Sequence, residues 1–228
     1  MGVDIAELRR IAMFRTLSDE DLAYVAAVTK IRRYGRGEII FFEGERNAAL
    51  YYVQAGLVKV FKTSTGGREQ ILRLIAAGYT FNDVPALDGG PNPASAAALE
   101  PSTIYVIGHS QLQALIAAHP AIATGVIRML AAALRHLVSL IEDLSLRHVT
   151  ARIAKLLLDE ATTVPMSRAA HRLTQQELAA MAGTVREVAG RALKELEAAG
   201  AIELRQGHIT IANQQCLKLI AENVDVEQ

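Results

Sequence analysis

Apolar and polar positions along the chain change rhythm twice. Near the start, "TLSDEDLAYVAAV" carries apolar residues at helical spacing behind Ser18, with Asp19, Glu20 and Asp21 following at once. A serine is a favoured N-cap, and acids in a first turn suit the positive end of the helix dipole. This predicts a short N-terminal helix. From Lys30 to about Gly108 the rhythm becomes that of short strands: "GEIIFFEG", "ALYYVQAGLVKVFKTSTGGREQILRLI" and "STIYVIG". Val, Ile, Phe and Tyr crowd these runs, and Gly35, Gly37, Gly44, Gly56, Gly66, Gly67 and Gly78 punctuate them. Short strands at regular spacing with glycine turns predict an antiparallel barrel or roll.

From Ser110 onward the pattern is helical. Val126, Leu130, Ala133, Leu137, Leu140 and Leu144 recur in alternating steps of four and three. That is the seam of a coiled coil. A long helix lying on its own domain's core would show a similar stripe. The stripe here is narrow and outlasts the strand region, which favours dimerisation. The seam ends near Ser145-Leu146, the natural boundary before a last region. There "TTVPMSRAAH" reads as a loop, and "AIELRQGHITI" reads as a β-hairpin turning at Gln206-Gly207.

Between them lies "LTQQELAAMAGTVREVAGRALKELEAAGAI", residues 173–202. Thr174, Gln175, Gln176 and Glu177 fit a capping box, with Thr174 as N-cap and Glu177 reaching back. Leu178, Met181 and Ala182 give that helix its apolar side. Gly183 suits a reversal that needs positive φ. Thr184, Val185, Arg186 and Glu187 resemble a second capping box. The second helix would bury Val188 or Ala189, with Ala192, Leu193 and Leu196. Arg186, Gly190 and Lys194 fall on the opposite side, with Glu187 and Arg191 beside them. Two short helices, a tight glycine turn and a hairpin describe a winged helix-turn-helix. Its second helix enters the DNA major groove, so Arg186 and Arg191 would fork onto guanine and Glu187 would accept from cytosine. Gly190 would allow close approach of the backbone. Taken singly, Glu187 is as well read as a helix cap, and Arg191 or Lys194 as solvated partners of Glu195 or Glu197. Their clustering on one face after the turn favours DNA.

Composition sharpens this by what it removes. The 228 residues hold 51% hydrophobic and 21% charged residues, enough for a packed core, and equal numbers of basic and acidic residues, 24 each. Residues 147–228 are also balanced, 10 against 10. The basic domain usual for a DNA binder is missing, so any DNA binding rests on local arrangement. The one cysteine, Cys216, excludes an iron–sulfur cluster, a multi-cysteine zinc site and an internal disulfide framework. The first residues lack an apolar run of signal-peptide length, and no segment reaches about 18 uninterrupted apolar residues. The expectation is a soluble, cytoplasmic protein that is not an enzyme and has no membrane partner.

These features together resemble the cyclic-AMP receptor protein / fumarate–nitrate regulator family of bacterial transcription factors. "GRGEIIFFEGERNAALYYVQAGLVKVFK" resembles its first β-roll strands, and "TQQELAAMAGTVREVAGRALKELEAAGAI" its helix-turn-helix. The resemblance implies an α+β chain: a cyclic-nucleotide-binding-like β-roll sensor domain (1–110), a long dimerisation helix (111–146) and a winged helix-turn-helix DNA-binding domain (147–228). It implies a homodimer on a pseudo-palindromic site in double-stranded DNA with TGTGA-like half-sites, and RNA polymerase as a further partner. The residues it assigns to DNA are Thr174, Gln175, Gln176, Thr184, Val185, Arg186, Glu187, Gly190, Arg191 and Lys194. Arg186, Glu187 and Arg191 fall on the base-reading set.

The departures concern the effector. Asp83 stands where the family's cyclic-AMP members place a ribose-binding glutamate. Pro93 and Ala94 stand where an Arg-Ser pair holds the phosphate, and Leu137 and Val138 where the helix would meet adenine. The expected pocket is small and apolar, near Asp83, Ala94, Ser95, Ala133 and Leu137. Without the clamp, cyclic AMP is not the expected effector. A haem branch stays open, although all six histidines follow Gly108. Two other functions compete. A metal-dependent cupin enzyme would draw histidines from the strands, where there are none. A nucleotide-sensing module without DNA contact would have no use for the helix-turn-helix.

Overall fold

The computed structural model describes residues 2–163, 174–205 and 208–222. Its chain separates into two compact units, Met1–Lys62 with Leu72–Leu134, and Thr63–Ile71 with Arg135–Gln228.

The first unit opens with α1 (Ile5–Arg10), a 3-10 turn (Ala12–Phe14) and α2 (Asp19–Val28). Ser18 caps α2 as predicted, within a full capping box closed by Asp21. The strands follow: β1 (Lys30–Tyr34), β2 (Ile39–Phe41), β3 (Ala49–Ala55), β4 (Leu57–Thr63), β5 (Glu69–Ala76), β6 (Thr80–Phe81), then after α3 (Asp83–Asp88), β7 (Ser95–Ala98) and β8 (Ser102–Gly108). They form two four-stranded sheets, ordered β1-β8-β3-β6 and β2-β7-β4-β5. Every pairing described is antiparallel. The roll expected from the glycine-punctuated runs is therefore present.

Strand β3 shows why it holds. Successive side chains of a strand point to opposite faces. Ala49, Tyr51 and Val53 enter the roll interior with Phe41, Phe81 and Ile104. Leu50 and Tyr52 lie on the other face, in a core with Leu8, Leu22, Leu112 and Ile122 from the helices. With both faces covered, the strand reads as a continuous apolar run. The β3–β4 turn needs glycine: Gly56 has φ 94°, and a Cβ there would collide with Ser102.

The helical segment after the strands is not one rod. It divides at His119 into α4 (His109–Ala118) and α5 (Pro120–Leu146), with proline in the first turn of α5, where its missing N–H costs nothing. Length and composition would let Ile122–Leu146 cross a membrane. Of the six residues expected in the seam on it, Leu130, Leu137 and Leu144 are exposed, Ala133 and Leu140 are half-buried and Val126 is buried. Val126 is only 8% exposed and belongs with Ile122 and Met129 to the roll's helical core. The exposed ridge begins one residue later: Ile127 (66%), Leu130, Leu134 (63%), Leu137, Val138, Ile141 (64%) and Leu144. The four–three stripe merged two neighbouring faces of one helix.

The second unit holds α6 (Val149–Thr163), α7 (Gln175–Met181), α8 (Arg186–Ala198), β9 (Ile202–Arg205), β10 (His208–Ile211) and α9 (Gln214–Glu222). Ile153, Leu178, Ala189, Leu193, Leu196, Ile202 and Leu217 form its core. Strands β9 and β10 pair antiparallel, with Arg205 opposite His208. The turn at Gln206-Gly207 lies outside the described residues. Of the expected loop "TTVPMSRAAH", Thr162 and Thr163 still belong to α6, and the rest also lies outside them. Helix α9 was not expected. Its signal was short: Leu217 and Ala221, four apart, are its buried pair.

Candidate nucleic-acid interface

The turn between α7 and α8 positions the charged face. Thr174 N-caps α7: its hydroxyl accepts from the Glu177 N–H at 3.2 Å, and the Glu177 carboxylate accepts from the Thr174 N–H at 2.7 Å. Leu178, Ala179, Ala180 and Ala182 bury that helix, while Met181 is half-buried. Gly183 takes φ 67°, so the predicted glycine reversal is present, and a Cβ there would meet the Leu144 side chain. The Thr184 N–H then donates to the Ala179 carbonyl at 2.9 Å.

The second capping box does not form. Val185 is the N-cap of α8, with extended φ and ψ, and no side chain caps the helix. Its first N–H groups are left to outside acceptors, since the leading N–H groups of a helix have no partner within it. Ala189, Ala192, Leu193 and Leu196 are buried as expected, and Val188 only half so.

Arg186, Glu187, Arg191 and Lys194 are exposed on the remaining face, with Thr174, Gln175, Gln176 and Val185 also exposed and Thr184 and Gly190 half-buried. The acids that might have paired them are engaged elsewhere. Glu195 accepts from the Thr150 hydroxyl at 2.6 Å, and Glu197 from the Leu204 N–H at 3.0 Å. Among the described residues, no ion pair or side-chain hydrogen bond holds Arg186, Glu187, Arg191 or Lys194. A Cβ on Gly190 would meet nothing within 4 Å, so the protein's own packing does not demand that glycine. A face with two free guanidiniums, a free ammonium, a free carboxylate and a bare backbone patch is built to meet a partner from outside.

Comparison with known proteins agrees in both units. The family model for the cyclic nucleotide-binding domain matches residues 31–119, and that for the Crp-like helix-turn-helix domain matches residues 151–220. The cyclic AMP receptor protein of Thermus thermophilus is 32% identical over 211 residues, 92% of this chain and 96% of its own. The chain belongs to the cyclic-AMP receptor protein / fumarate–nitrate regulator family. It is a transcription regulator with a helix-turn-helix DNA-binding domain. A global transcriptional regulator of Mycobacterium tuberculosis, described as cAMP-activated, is 28% identical over 92% of this chain and 96% of its own. Among solved structures, the Thermus thermophilus catabolite activator protein is 31% identical, with a TM-score of 0.53 over 92% of this chain and 98% of that one. FixK2 from Bradyrhizobium japonicum shares the fold at 23% identity, with a TM-score of 0.76 over 87% of this chain and all of that one.

The expected effector residues fare differently from the DNA-facing ones. Asp83 begins α3 directly after Asn82, which sits in the left-handed region at φ 62°. One oxygen of the Asp83 carboxylate is buried without a hydrogen-bond partner. Burial raises the pKa of Asp83, opposed by a hydrogen bond with Thr80 and by the Arg73 charge. Ala94 and Ser95 are buried, and the Ser95 hydroxyl accepts from the Glu43 N–H at 3.0 Å. Ala133 is half-buried and Leu137 exposed on α5. No group of three or more metal-ligating side chains occurs among the described residues.

Proposed function

We propose that a homodimer of this regulator binds a pseudo-palindromic DNA site in the cytoplasm, reading TGTGA-like half-sites with Arg186, Glu187 and Arg191. The observation that carries this is the exposed, unpaired charged face of α8 just beyond the Gly183 turn. An arginine fork matches guanine O6 and N7, and a carboxylate matches the cytosine amino group. Lys194 and the uncapped start of α8 supply phosphate contacts, with Thr174, Gln175, Gln176, Thr184 and Val185 seating the motif on the backbone. Gly190 allows the helix to approach. The second protomer docks along the α5 ridge from Ile127 to Leu144, since an apolar ridge this long is a partner surface in a DNA-bound regulator. RNA polymerase is the further partner of such a dimer.

The effector, in this reading, is not cyclic AMP. Several relatives are named for cyclic AMP, but the residues here do not fit a cyclic phosphate. Pro93 and Ala94 bring no charge. The Ser95 hydroxyl is already engaged, and Asp83 adds a carboxylate whose buried oxygen lacks a donor. An anion buried without a cation costs several kcal/mol.

Selection from random double-stranded DNA tests the DNA reading. Wild type should enrich a two-fold symmetric site with half-sites about one helical turn apart. Arg186→Ala and Arg191→Ala should each relax one position of the half-site, at about 1–3 kcal/mol of discrimination. Unchanged sequence preference in both variants would remove them as readers.

A further inference from the structure

A cavity of 280 Å³ opens against β1, β3 and β8, and none of the expected effector residues Asp83, Ala94, Ser95, Ala133 and Leu137 lines it. The sheet explains its shape. Lys30 on β1 faces Val106 on β8, which faces Tyr51 on β3, so these three form one row across one face. Arg32 and Tyr34 follow Lys30 on that face at the two-residue period of a strand. Beside the row Ala49 pairs with Gly108, and neither has a side chain beyond a methyl. Two small residues among large ones leave the hollow. A Cβ on Gly108 would meet the Gln111 amide.

The lining is not that of an ordinary packing gap. Among the described residues, no ion pair or side-chain hydrogen bond engages Lys30, Arg32, Tyr34 or the Tyr51 hydroxyl. Besides burial, the Glu38 and Glu45 carboxylates act on the Tyr34 and Tyr51 hydroxyls respectively. Both are committed: Glu38 accepts from the Gly35 N–H at 2.8 Å, and Glu45 from the Asn47 amide at 3.1 Å. Burial pushes the Tyr51 hydroxyl up to about 12, so it stays a neutral donor at physiological pH. Cations at the rim, neutral hydroxyl donors on the wall and an apolar floor at Ala49 and Val106 have one complementary shape.

We infer that this cavity is a second ligand site, taking a small organic anion: a carboxylate or phosphate carried on a single apolar ring or short chain. The volume suits one ring, since drug-sized ligands fill about 300–1,000 Å³. The anion sits between Lys30 and Arg32, and its apolar body lies on Ala49 and Val106. The site is independent of how the regulator reads DNA.

Calorimetric titration of the full-length protein tests this with four probes: benzoate, phenyl phosphate, inorganic phosphate and benzamide. Benzoate or phenyl phosphate should bind with Kd of roughly 10 µM to 1 mM, and the tighter of the two identifies the head group. Benzamide lacks the charge and inorganic phosphate lacks the body, so each should bind at least about tenfold more weakly. The double substitution Lys30→Gln with Arg32→Gln changes only exposed side chains and should weaken the tighter probe by at least about tenfold. Ala49→Leu fills the floor and should do the same with both cations intact. Failure of both organic anions to bind below about 10 mM would overturn the inference. So would benzamide binding as tightly as benzoate, or undiminished affinity in the Lys30/Arg32 variant.

Discussion

On α8, Arg186, Glu187, Arg191 and Lys194 stand in solvent with no ion pair or side-chain hydrogen bond among the described residues, while at the start of α3 one oxygen of the Asp83 carboxylate is buried without a hydrogen-bond partner. Both are polar groups left unsatisfied, and the physical consequences are opposite. An exposed charge without a partner costs almost nothing, because water solvates it until DNA arrives. A buried polar atom without a partner costs about 1–3 kcal/mol at all times. The charged face of α8 can therefore be kept ready at no expense to the fold. The buried Asp83 oxygen is a standing cost to the roll.

The largest effect is expected at the surface that would bring two DNA faces together. Leu137→Glu or Ile141→Glu places like charges opposite one another in a desolvated ridge. Sedimentation in the absence of detergent should show dimers for wild type and monomers for each variant. Affinity for the symmetric site should fall by at least about 100-fold, because one half-site alone then holds the protein. Wild-type monomers, or aggregates that detergent disperses, would turn the ridge of α5 into something other than a dimer seam.

Next in size is the distinction between the two sites' preferred charge. The α8 face is cationic on balance; the Asp83 segment is not. Titration with cyclic AMP should give no heat up to about 1 mM, since the uncompensated phosphate loses several kcal/mol. Micromolar binding with a matching gain in DNA affinity would place a cation, Arg73 being the nearest by sequence and charge, in the clamp's role. The α8 face would then be the output of an ordinary cyclic-nucleotide switch.

The same contrast decides what the sequence made legible. The helix-turn-helix could be read almost residue by residue because its determinants are local: the Thr174–Glu177 box, the Gly183 reversal and the buried Ala189, Ala192, Leu193 and Leu196 all lie within one short stretch. The roll was legible as a class for the same reason, from strand runs and glycine turns. Failures occurred where a local pattern allowed two outcomes or where the answer depended on a distant neighbour. Thr184 matches a cap by pattern, yet its N–H is spent on Ala179 and Val185 takes the cap position. Val126 matches the seam by spacing, yet the core formed with Leu8, Phe14 and Leu112 claims it. The cavity beside Lys30 arises from Ala49 facing Gly108 across two strands far apart in sequence, which no window along the chain contains.

The smallest effect expected, and the most specific to the roll, concerns Asp83 itself. Burial is the largest influence on it and favours the neutral form, with Thr80 and Arg73 pulling the other way less strongly. Its folded pKa is raised above the ordinary carboxylate value, so the folded state holds this proton more tightly than the unfolded state does. Stability from this group is then complete below the ordinary carboxylate pKa and is lost as pH rises through the folded one. At a pH above its raised folded pKa the wild type folds with an unfavourable, largely buried charge. Asp83→Asn keeps the shape and removes that charge, so its melting temperature should exceed wild type at pH 7, by roughly 2–4 °C for each kcal/mol gained. The gain should shrink as pH falls and vanish once the wild-type carboxyl is protonated in both states. A variant less stable than wild type at pH 7 would mean that the pairing with Thr80 and Arg73 outweighs burial. The carboxylate would then be a satisfied anion, and the contrast with the waiting charges of α8 would disappear.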